Sequence, residues 1–242
     1  MTSSTCKTIV WLTIFSIAMA YLETAVVVYL RELYYPGGFK FPLTPIGYNI
    51  ALTEFWREAA TIVMLLGAGI VAGKNLAQRF AFFIFCFAIW DIFYYVFLKL
   101  LLDWPQSLMT WDILFLIPVP WVGPVITPVI VSLTMIFLAV SVVYFNDKRS
   151  NVKINSKEWI LLSTGALIIV ISFIWDYCLY VLQQHPFSSL WSLSSGDLFE
   201  VSKNYIPESF KWPVFFAGEI LCLSAVYLFN RKMIRSQVIN LE

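Results

Sequence analysis

The sequence predicts an all-α integral membrane protein, a bundle of six transmembrane helices. Three observations carry that expectation. Of 242 residues, 60% are hydrophobic and only 13% are charged, against roughly 25% charged residues in soluble domains. Mean hydropathy is +0.78, and six apolar windows reach bilayer-spanning length. Basic residues gather in alternate connecting segments, as they do in chains that cross a membrane repeatedly.

The first span covers residues 9–30. Lys7, the apolar stretch 9–17 and Ala18-Met19-Ala20 have the form of a signal peptide with its cleavage site. The apolar run nevertheless continues past Glu23 through Val26-Val27-Val28-Tyr29-Leu30, so a retained first helix is expected. In the second span, residues 59–73 are uncharged but too short for a ~30 Å hydrocarbon core at ~1.5 Å per residue. The helix must begin near residue 51 and cover 51–72, which draws Glu54, Arg57 and Glu58 to the outer boundary. The third span, 80–102, contains Asp91 and lets Lys99 snorkel near its end.

An uncharged run from Ile113 to Phe145 follows, too long for one straight helix and broken by Pro118, Pro120, Pro124 and Pro128. It reads as an interfacial or re-entrant segment, 113–120, and a fourth span, 121–145. The fifth and sixth spans are 159–182 and 212–230. Between them an outer loop, 185–211, is rich in Ser, Pro and aromatic residues.

Lys7, Lys74, Arg79, Lys148, Arg149, Lys153, Lys157, Arg231, Lys232 and Arg235 fall on one side, against Asp147, Glu158 and Glu242. The positive-inside rule then expects both termini in the cytoplasm of a plasma (inner) membrane. Tyr34, Tyr35, Tyr48, Trp56, Trp104 and Trp111 lie near the outer span ends, where an interfacial aromatic belt accounts for them. A net charge of +1 argues against a nucleic-acid partner. The expected partners of such a chain are the lipid bilayer, a small cation or polar ligand, and a second protein.

A phrase recurs. Phe87-Ala88-Ile89-Trp90-Asp91 is echoed by Phe173-Ile174-Trp175-Asp176, and more faintly by Tyr21-Leu22-Glu23. After each acid come a proline (Pro36, Pro105, Pro186) and a tryptophan that opens the next helix (Trp56, Trp121, Trp212). This spacing suggests three tandem helical hairpins, 1–2, 3–4 and 5–6. Parallel repeats of this kind carry their sites at unit interfaces.

The candidate site is a set of intramembrane charges: Glu23, Glu54, Arg57, Glu58, Asp91, Asp176 and Glu219. All the acids fall in the outer half or at the midplane, above an apolar inner half. A charge at that depth costs at least ~2.5 kcal/mol on the most lenient insertion scale, so it points to function. Glu54, Arg57 and Glu58 share a helical face, and ion pairing at a helix start accounts for them equally well. Asp91 and Asp176 have no base one turn away and must find a partner across helices, take up a proton or face water.

Carboxylates, with Thr127 and carbonyls freed by the prolines, suit a hard cation. No other cofactor is expected. Haem and catalytic zinc are disfavoured, since His185 is the only histidine, and a di-iron site would want Glu-x-x-His pairs. Cys6, Cys86, Cys178 and Cys222 form no CxxC pair. No P-loop or nucleophile motif is present, and Gly67 to Gly73 reads as small residues for close helix packing.

The leading functional expectation is a small transporter or binding protein for a cation or cationic polar ligand. A membrane enzyme is the second, working at the outer face on a lipid or periplasmic substrate with a carboxylate acid–base pair. The third is a non-catalytic subunit whose acids pair with a protein partner.

Overall fold

The structure, a computed structural model, describes residues 1–44, 46–117, 119–149, 152–184 and 204–239, the last three as backbone alone. Six helices dominate it: α1 (Ser3–Tyr34), α2 (Tyr48–Ala72), α3 (Leu76–Leu102), α4 (Ile126–Lys148), α5 (Ser156–Gln184) and α6 (Trp212–Ile239). All six have the length and apolar composition to cross a membrane. Each extends beyond its predicted core at one or both ends, because polar caps and interfacial residues continue the helix past the apolar window.

The starts have local causes. Thr2 accepts from the Thr5 amide at 3.3 Å, and Asn75 accepts from the Gln78 amide at 3.0 Å, so side chains satisfy amides that lack an intrahelical partner. Glu158 accepts from the Asn155 amide and pairs with Lys232 of α6, both at 2.7 Å. At its far end α3 stops at Asp103, in the left-handed region with φ 48.

The centre of the bundle is α3, which packs on α1, α2 and α4, while α5 packs chiefly on α6. Its Ala81, Phe82, Phe85 and Cys86 join Met19 of α1, Val142 of α4 and Phe229 of α6 in one buried core. Two crossings are close enough to demand glycine. A Cβ on Gly165 would lie 2.6 Å from Cys222 Sγ and 2.7 Å from the Gly218 carbonyl, and one on Gly69 2.6 Å from the Phe83 amide nitrogen. Close packing therefore explains Gly69 but not Gly67, which faces open space. The perimeter is apolar, with Trp11, Val63, Val71, Leu100, Leu167 and Ile220 exposed.

Two features depart from the sequence reading. Helices α1 and α2 barely touch, although α3–α4 and α5–α6 each pack as a pair. Of the segment 113–120, residues 113–115 lie in a strand of a small β-hairpin, and α4 starts at Ile126 rather than at 121. Strand β1 (Trp111–Phe115) pairs antiparallel with β2 (Trp121–Pro124), Asp112 opposite Gly123, with an irregularity between Ile113 and Phe115. Pro120 directly precedes β2 and Pro124 ends it, while Pro128 sits in the first turn of α4, where a missing amide costs no helical bond. Amides of Val125 and Ile126 donate to the Thr110 and Leu108 carbonyls at 3.0 and 2.8 Å, anchoring α4 to the hairpin base. Of the expected loop 185–211, residues 185–203, with His185 and Pro186, lie outside the described residues, as does Pro118.

Candidate functional site

The gap between α1 and α2 is a cavity of about 340 Å³, closed behind by α3 and capped by β1. It occupies the end of the bundle that carries the hairpin. Helical spacing sets what reaches it: Glu23, Val27, Leu30 and Arg31 from α1; Glu54, Arg57 and Glu58 from α2; Asp91, Tyr94 and Tyr95 from α3. Each set recurs at three- or four-residue intervals, one face of one helix.

Arg57 is the bridge across the gap. Its guanidinium pairs with Glu23 of α1 and, at 2.7 Å, with Glu54 one turn away. Thr61 adds a 3.3 Å hydroxyl bond to Glu23. All three charges are largely withdrawn from the surface, so each depends on the others for compensation.

A second pair closes the top. Arg31 Nη2 lies 3.3 Å from Asp112 Oδ1, and the Tyr95 hydroxyl donates to Asp112 Oδ2 at 3.3 Å. The Arg31 guanidinium is sandwiched between Trp104, 3.8 Å from the ring centroid, and Phe39, at 4.5 Å, a favourable use of the ring faces. Asp112 is only 2% exposed. Burial pushes its carboxyl up to about 6, against the opposing pull of Arg31.

Two carboxylates differ from these. Glu58 accepts the Leu116 amide at 2.8 Å, which ties the hairpin to α2, and Asp91 accepts the Ser132 hydroxyl of α4 at 2.8 Å. Among the described residues, neither has a basic group within 4 Å, because both nearby guanidinium groups pair with other acids. Aromatic rings complete the wall, Tyr34, Phe55, Trp90 and Tyr94 among them.

Of the seven residues expected to form a site, Glu23, Glu54, Arg57, Glu58 and Asp91 therefore line one cavity. Asp176 does not. It accepts from the Tyr205 hydroxyl at 2.9 Å and from the Glu208 and Ser209 amides at 3.2 and 3.3 Å, fastening the 204–211 segment to α5. Burial and the neighbouring carboxylate hold the Tyr205 phenol above its usual range. Glu219 lies elsewhere too, accepting the Thr134 hydroxyl of α4 beside a second cavity of about 490 Å³.

The partnership of Arg31 with Asp112 is not among the sequence expectations. A faint signal existed: Arg31 directly follows one apolar run, and Asp112 directly precedes another. The carbonyls that prolines were expected to free are also reduced in number, since the Thr127 hydroxyl donates to the Pro124 carbonyl at 2.7 Å. Among the described residues no three His, Cys, Asp or Glu side chains converge as metal ligands. Arg57 lies between Glu23 and Glu54 and pairs with both.

Comparison of the chain with protein-family models, curated proteins and solved structures returns no match. Any functional reading therefore rests on the cavity's chemistry. It offers two carboxylates that form no ion pair within 4 Å among the described residues, an ion-paired rim and aromatic faces.

Proposed function

We propose that this chain is a binding protein or small transporter for a cationic polar ligand, and that the ligand is an organic ammonium. The observation that carries the reading is the unequal pairing of charge. Five carboxylates line the cavity against two guanidinium groups, and the latter are committed to Glu23, Glu54 and Asp112. Glu58 and Asp91 are left with one neutral donor each. A buried carboxylate without a cation is unfavourable, so an incoming ammonium would compensate what the protein leaves open. The aromatic walls add cation–π attraction, which favours an organic cation over a strongly hydrated metal ion.

The loop charges orient this site outward, with both termini cytoplasmic and the plasma membrane as its setting. The pairing of α3 with α4 and of α5 with α6 suits an ancestral hairpin repeat, to which α1 and α2 would be a divergent third unit. A second reading, an outer-face enzyme working on a lipid, draws support from the apolar cavity beyond Asp91.

Calorimetric titration of the full chain in nanodiscs with methylammonium tests the proposal. Saturable binding is expected, weakened at least tenfold in Glu58→Gln and Asp91→Asn variants that keep the wild-type melting temperature. Undiminished binding in the folded double variant would overturn it.

A further inference from the structure

One stripe of α3 runs through both cavities. Phe80, Phe83, Ile84, Phe87 and Trp90 line the larger, apolar chamber, and Asp91, Tyr94 and Tyr95 line the polar one. Trp90, Asp91, Leu114 and Phe115 belong to both walls. The chamber therefore begins where the polar cavity ends, and Asp91 marks the change. From residue 80 to residue 90 the stripe covers about 15 Å of helix rise, along a helix long and apolar enough to cross a membrane. At about 490 Å³ it falls within the ~300–1,000 Å³ range of ligand pockets. Its other walls are almost wholly apolar, and its hydroxyls are already in use: Ser132 donates to Asp91, and Thr134 to Glu219.

We infer that the ligand is an amphiphile, a single hydrocarbon chain bearing an ammonium headgroup. The head lies between Glu58 and Asp91, and the chain runs from Asp91 into the chamber along α3. This inference rests on the cationic reading of the polar cavity and names the ligand class that reading left open. Charge complementarity fixes the head at the hairpin end, since the chamber's two acids without ion-paired cations among the described residues, Asp91 and Glu219, are held by Ser132 and Thr134 in the early turns of α4. The apolar lining fixes the tail, because a fully polar cation would leave the adjoining chamber unfilled.

The test uses dodecylammonium with a photoreactive diazirine in its chain, on the full protein in nanodiscs. Labelling is expected on the chamber-facing stretches of α3 and α4, competed by dodecylammonium and at least tenfold less by dodecanol. Leu138→Trp should abolish chamber labelling. Ala166→Phe fills the same chamber from α5, should the first variant fail to fold. Methylammonium binding, measured by calorimetry on the same variants, should stay within twofold of wild type.

The outcomes separate the two proposals. If methylammonium binds but the probe labels only lipid-facing positions, or labels the chamber equally with dodecanol as competitor, the amphiphile inference is overturned and the cationic site stands. If methylammonium does not bind, the cationic reading is lost. Chamber labelling that survives both filling substitutions also overturns the inference.

Discussion

Arg57 shows how one side chain can hold a membrane fold open and together at once. Helices α1 and α2 make little direct contact, so its pairing with Glu23 of α1 supplies much of what joins them at this level, while Glu54 of its own helix steadies the guanidinium. Arg57→Leu strands two acids, and breaking a buried pair typically costs about 3–5 kcal/mol. A marked fall in melting temperature in detergent is expected, largely restored by adding Glu23→Gln and Glu54→Gln. Asp112 makes a pH prediction. Its folded value, about 6, is above the ordinary 3.8, so the folded state holds its proton more tightly than the unfolded state. The contribution is fully present below pH ~4, is lost as pH rises through ~6, and is flat beyond. Subtracting the pH–stability curve of Asp112→Asn from that of wild type should isolate it. Little of this partnership was legible in sequence: Arg31 and Asp112 each border an apolar run, but they are far apart in the chain and carry no motif, and only the fold brings them together.

At the scale of elements, the helices were legible because each is an apolar run of bilayer length, a signal that survives imprecise ends. The β-hairpin was not. Its strands are too short to show alternation, and the prolines around them resemble the breaks of a re-entrant helix. The β-branched and aromatic residues flanking that proline turn were the available hint. Helix crossings were half legible, since small residues mark candidates without saying which meet a neighbour. Gly165 and Gly218 meet backbone to backbone, whereas Gly67 has open space. Gly218→Leu should separate α5 from α6, destabilising by about 1–3 kcal/mol or more, while Gly67→Ala should leave the melting temperature within a degree or two.

For the whole molecule, the sequence revealed a polar end and an apolar end but not that α1 and α2 stand apart, because no local pattern encodes a gap. The proposed orientation has a direct check. Cys6 is the one cysteine exposed among the described residues. A membrane-impermeant maleimide should spare it in intact cells and label it once the membrane is permeabilised. Labelling of intact cells would reverse the bundle and face the acidic cavity inward.

The bridge between α1 and α2 has an evolutionary consequence. The carboxylates that clasp Arg57 are of the same kind as those offered to a ligand, and they border the same space. Any substitution that loosens the clasp releases acceptors and widens the entrance, so tighter capture and a sturdier fold pull against each other at one residue. Variants selected for stronger binding should therefore melt earlier, and second-site changes that rescue them should map to the α2–α3 and α5–α6 seams rather than to the cavity.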